Sequence, residues 1–115
     1  MNWLPLVVEE QLTEVNLLSQ KSDIKAVILF KHNTRCSTSS MVLNRLERSW
    51  KVSEKDVPAY FLDLLKHRNV SNKIEQLYGI SHESPQILLI KNGKCIYSSS
   101  HSDISTPDIE AALNS

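Results

Sequence analysis

Apolar positions along this chain fall into two alternating kinds of run, and their order predicts the elements. Between Glu9 and Gln20, Leu12, Val15 and Leu18 recur at helical spacing, with Leu17 beside the last. Ala26-Val27-Ile28-Leu29-Phe30 is a continuous apolar run of five rich in β-branched types, which predicts a central strand covered on both faces. A polar loop, Lys31 to Arg35, then leads to Cys36, and from Ser37 to about Val52 the residues Met41, Val42, Leu46 and Trp50 return at helical intervals. After Pro58, Ala59 to Leu65 reads as a second strand. Ser71 or Asn72 is the expected cap of a helix through Ile74 and Leu77 that stops at Gly79. Gln86 to Lys91 is a third strand, Asn92-Gly93 a two-residue hairpin turn, and Cys95 to Ser98 a fourth strand. Thr106 as N-cap, Pro107 at the first helical position, and Asp108 and Glu110 in the first turn announce a last helix.

The predicted order is helix, β-α-β, helix, β-hairpin, helix. The β-α-β unit must be parallel and right-handed, and the hairpin antiparallel. A strand, a thiol at the next helix start, and a proline opening the hairpin follow one another as in a thioredoxin fold. The expectation is therefore one α/β domain over residues 1–115, a four-stranded mixed sheet flanked by helices.

Composition narrows the function. The 115 residues, 41% hydrophobic and 23% charged, suit one soluble domain, and 13 basic side chains cancel 13 acidic ones. With no block of like charge, neither nucleic acid nor an anionic membrane is an expected partner. The first ten residues lack a basic start, and Pro5 breaks their short apolar stretch, so they read as neither a signal peptide nor a span. The expected location is the cytoplasm, where two cysteines stay free thiols.

Cys36 carries the chemistry. At a helix start its sulfur lies near unpaired amides that favour the thiolate, the form that attacks a disulfide. Lys31, Arg35 and protonated His32 would add positive charge. An inert cysteine packing the strand end is the competing reading, and the polar flanks argue against it. Ser39 stands where a dithiol enzyme has its second cysteine, so Cys36 cannot close a local disulfide. The Ser39 hydroxyl either tunes the thiolate or caps backbone amides. Cys95 falls just past the hairpin turn, roughly 15 Å of strand from the Cys36 end, whereas bonded cysteines have Cα atoms within about 7 Å.

The third strand runs antiparallel to the first, so Ser84 and Pro85 start it at the Cys36 end, and a cis bond there would let the preceding backbone pair with an incoming chain. The hairpin returns Ser100 to Asp103 to that same end. His101 is expected either to touch the thiolate or ligand or to lie in a solvated loop, and Asp103 either to pair with an ammonium group or to do the same. His82 and Glu83, just before Ser84, share that ambiguity. No close Cys or His pair supports a metal site.

These residues resemble a known family, the YtxJ-type monothiol bacilliredoxins of the bacillithiol system. Their active-site stretch, Lys-His-Ser-Thr-Thr-Cys-Pro-Ile-Ser, reads here Lys31-His32-Asn33-Thr34-Arg35-Cys36-Ser37-Thr38-Ser39. Further likeness lies in Tyr60 to Leu64, in Arg68 to Asn72, and in His82-Glu83-Ser84-Pro85-Gln86. The resemblance implies a thioredoxin-like fold and an enzyme that removes bacillithiol from S-bacillithiolated cytoplasmic proteins, with Cys36 as nucleophile. It implies bacillithiol as co-substrate and a second thiol or a reductase to regenerate Cys36; no bound cofactor and a monomer are the accompanying expectations. Lys31 and Arg35 are then expected contacts for the malate carboxylates of bacillithiol. Ser37 in place of proline removes a preorganised first helical position. From another class, a non-catalytic binding or redox-sensing module modified at Cys36 fits the same thiol. A peroxiredoxin would need Pro-x-x-x-Thr-x-x-Cys, and a cluster-assembling glutaredoxin Cys-Gly-Phe-Ser; neither is present.

Overall fold

The computed structural model describes Met1 to Ser115. Its elements run β1 (Trp3–Pro5), α1 (Gln11–Ser19), β2 (Val27–His32), α2 (Ser37–Ser49), β3 (Ala59–Asp63), α3 (Arg68–Tyr78), β4 (Gln86–Lys91), β5 (Lys94–Ser100), a 3-10 turn (His101–Asp103) and α4 (Thr106–Leu113). The strands form one mixed sheet in the order β1-β3-β2-β4-β5, with β1, β2 and β3 parallel and β4 and β5 antiparallel to their neighbours.

The sheet has five strands rather than the expected four. The extra one, β1, is three residues long, too short for any periodicity, and contains Pro5. An edge strand tolerates proline because only one of its sides must pair. Here β1 pairs with β3 alone, and Leu6 closes the ladder by donating its N–H to Phe61 O at 2.8 Å.

Two helix boundaries also differ. Helix α3 begins at Arg68, before Ser71 and Asn72, because buried Val70 already belongs to the stripe that continues in Ile74. Ser105, not Thr106, caps α4, its hydroxyl accepting the Asp108 N–H at 3.3 Å, so Pro107 falls one position inside the helix. Thr106 is instead buried, with its hydroxyl bonded to that of Ser49. Gly79 ends α3 at φ +68°, and Asn92 and Gly93 both hold positive φ in the hairpin turn, as a type I′ turn requires.

Alternation along the strands splits the core into two layers. Val27, Leu29, Leu62, Leu88 and Ile90 face α1 and α3, where they meet Leu12, Val15, Val70 and Ile74. Ile28, Phe30, Ile87 and Leu89 face α2 and α4, against Val42, Leu46 and Ile109. A side chain near the end of β2 therefore belongs to one layer or the other by parity. No helix is long and apolar enough to cross a membrane.

Candidate active site

Cys36 is the N-cap of α2, half-buried, with extended backbone at φ −110° and ψ 118°. Its N–H donates to Asn33 O at 3.1 Å, and its carbonyl accepts the Ser40 N–H at 3.2 Å as the first helical bond. The loop before it is tied by the Asn33 side chain, whose Oδ1 accepts the Arg35 N–H at 3.0 Å. The Arg35 side chain is exposed beside Cys36.

Ser39, three residues on, is fully buried. Its Oγ accepts the Asn33 N–H at 3.1 Å and lies 2.7 Å from His32 Nδ1. The arrangement that satisfies every group has the hydroxyl donating to a neutral His32 ring. Burial pushes the His32 imidazole below its ordinary 6.5, against the opposing pull of Asp63 and Glu47. The ring packs against Phe30 and Phe61. Ser39 thus pins the first turn of α2 to the end of β2.

Lys31 is not brought to the thiol. One residue from His32, it points through the sheet to the α3 side, where it is fully buried. Its Nζ lies 3.3 Å from both Ser71 O and His82 Nδ1. Burial drives its pKa from 10.5 down to about 8. The expected Lys31 contact with bacillithiol carboxylates therefore has no geometric basis, because strand parity sends the ammonium to the opposite face.

Register brings three segments to the Cys36 end. Gln86 pairs with Lys31 on one side and Ser100 on the other, so the starts of β4 and of the segment after β5 flank the end of β2. The Ser84-Pro85 peptide is cis; Pro85 is buried and Ser84 half-buried. His101, at φ +56°, donates its N–H to Pro85 O at 2.9 Å, and its Nε2 lies 2.9 Å from Glu83 Oε2 in an exposed pair. Asp103 is exposed in the 3-10 turn and makes no ion pair. That turn is held by Arg45 of α2, whose Nη2 donates to Ser102 O and Ile104 O at 3.1 and 2.8 Å.

Cys95 lies at the other end of the sheet, opposite Ile90, about 13 Å of strand from Gln86. Its thiol donates to Tyr97 O, and burial pushes it above its ordinary pKa. Both cysteines are free. The two surface clefts also lie away from Cys36, around Asn2, Glu54 and Ala59. No cluster of three or more His, Cys, Asp or Glu side chains suited to a metal is present.

Residues 6–109 match the family model described as monothiol bacilliredoxin BrxC. The chain belongs to the monothiol bacilliredoxin family. Among solved structures, the chain is similar to a candidate oxidoreductase with a thioredoxin fold: 25% identity, 95% of this chain and 91% of that one covered, TM-score 0.77. It is also similar to thioredoxin from Malassezia sympodialis at 20% identity, with 98% and 89% covered and TM-score 0.72. Thioredoxin from Trypanosoma brucei brucei matches at 13% identity, with 98% and 88% covered and TM-score 0.72. The last two support the fold alone. Family and fold together support a thiol-redox function for this chain. The sequence does not give the parts that Ser71, Glu75, Gln86 and Arg45 play in holding the loops around the thiol, since nothing local marks a side chain that reaches across to another element.

Proposed function

We propose that this bacilliredoxin removes bacillithiol from protein mixed disulfides through Cys36. The observation that carries the reading is a half-buried Cys36 at a helix start followed by a sealed-in serine where a resolving thiol would stand. In the first step the Cys36 thiolate attacks the bacillithiol sulfur. The client–bacillithiol S–S bond breaks, and the client sulfur leaves as a thiolate that takes a proton from solvent. Cys36 now carries bacillithiol. Ser39 has no sulfur to displace it, so a second, reduced thiol attacks the bacillithiol sulfur, releasing Cys36 as thiolate and bacillithiol as a disulfide with the second thiol. Exposed Arg35 is suited to the malate carboxylates, and the Ser84 backbone beside Pro85 to pairing with the client chain.

Intact mass after incubation with a bacillithiolated protein tests this. Wild type gains one bacillithiol, lost again with excess thiol, Cys36→Ser gains none, and Cys95→Ser behaves as wild type. Equal loss in both variants refutes the monothiol route. One adduct without repeated turnover points instead to a redox sensor.

A further inference from the structure

The loop of Ser81 to Pro85 forms one wall of the proposed site, and it is fastened from the side of the sheet that Cys36 does not occupy. Gln86 Nε2 donates to Ser81 O at 3.0 Å, and Glu75 Oε2 accepts the His82 N–H at 3.0 Å. These hold the backbone at the start of the loop. Its side-chain anchor is His82, whose Nδ1 lies 3.3 Å from Lys31 Nζ and 3.2 Å from Ser71 Oγ. An ammonium can only donate, so His82 must accept at Nδ1 and is the neutral, Nε2-protonated ring. Burial and the nearby charges of Lys31 and Arg68 push its pKa down in the same sense.

Lys31 is a costly choice for this position. It is fully buried, its partners are a carbonyl and a neutral ring, and no carboxylate lies within ion-pair distance. Burying an ammonium without an ion-pair partner is unfavourable where an apolar side chain of similar length would pack well. The bonds it makes to Ser71 O and to His82 are what the apolar side chain would not supply, and of the two only the second touches the loop. That bond reaches a residue two positions from Ser84.

We propose that Lys31 is a positioning residue: its ammonium holds His82 from the opposite face of the sheet and so sets the Ser84-Pro85 backbone where a mixed disulfide docks against Cys36. The inference rests on the transfer reading above and deepens it. Lys31 touches neither substrate nor thiol.

The test compares two rate constants of Cys36 in wild type, Lys31→Met, His82→Ala and His82→Asn. One is for a bacillithiolated protein, the other for iodoacetamide, which needs no docking wall. Their ratio should fall about tenfold in Lys31→Met and His82→Ala. It should return to within about twofold of wild type in His82→Asn, whose Oδ1 sits near the position of Nδ1. Amide exchange across residues 81–84 should quicken in the first two variants and not in the third. An unchanged ratio in Lys31→Met or in His82→Ala, or an Asn variant as impaired as Ala, overturns the proposal. If Lys31→Met does not fold, the His82 pair still decides, because His82 is only half-buried in a loop. A wild type that takes no bacillithiol refutes the transfer reading alone, and the same ratio is then measured with a glutathionylated protein.

Discussion

Ser39 shows how one hydroxyl can serve as a joint. It takes the Asn33 N–H and meets His32 Nδ1 in a place that water does not reach. Ser39→Ala leaves both groups unpartnered, which costs about 1–3 kcal/mol. Ser37→Ala, exposed in the same turn, should stay within about 0.5 kcal/mol of wild type. Urea unfolding of the two variants measures the difference, and equal values would deny Ser39 this role. From sequence, Ser39 was legible as the serine of Cys-x-x-Ser, with tuning and capping both open. It caps no amide of α2 but bonds back to the strand end, because burial of the first turn brings it onto His32. Lys31 was readable as basic and adjacent to the motif, yet proximity in sequence misled. Successive strand residues point to opposite faces, and β2 continues through Lys31 and His32, two residues beyond the apolar run that marked it.

At the scale of elements, runs and periods of apolar residues located α1 to α3 and β2 to β4, since each buries a stripe or a face, while turn and first-turn residues located β5 and α4. It missed β1, where three residues hold no period, and it misjudged starts where capping is not done by the expected hydroxyl. Helix α3 has no side-chain cap: its N-cap is His67, and the preceding turn is closed by Asp63, whose Oδ1 accepts the Leu65 and Lys66 N–H groups. Its other end was legible because Gly79 meets a backbone demand that few residues satisfy. A Cβ added there touches nothing, so Gly79→Ala tests the conformation alone. At φ +68° the change should cost about 1 kcal/mol, and Gly79→Asn less, with thiol-exchange activity retained in both. Denaturant midpoints report this, and equal losses for Ala and Asn would mean that left-handed backbone is not the cause.

Across the whole molecule, the sheet separates a reactive side from a supporting side. Cys36, Ser39 and His32 belong to the layer of α2 and α4, while the buried ammonium of Lys31 lies among α3 and the His82 loop. That charge ties global stability to pH. Desolvation lowers Lys31 from 10.5 to about 8, with Glu75 opposing and Arg68 reinforcing the shift. Below about pH 8 the folded and unfolded chains both hold the proton, and the folded state bears the full penalty of burying it. Between about 8 and 10.5 the folded chain has released the proton while the unfolded chain still binds it. Stability due to this group therefore rises with pH across the window, by at most about 1.4 kcal/mol per unit. Cys95 and Tyr78, whose pKa values burial raises (Tyr78 to about 12), pull the other way as the unfolded chain loses their protons first. A difference measurement removes them. In Lys31→Met they titrate as in wild type, and only the ammonium is gone. The difference between the unfolding free energies of the two proteins, followed from pH 7 to 10, should thus shift in favour of wild type above pH 8. A difference that stays level over that range would mean that Lys31 keeps its proton in the fold, and that its buried surroundings are more polar than a carbonyl and a neutral ring.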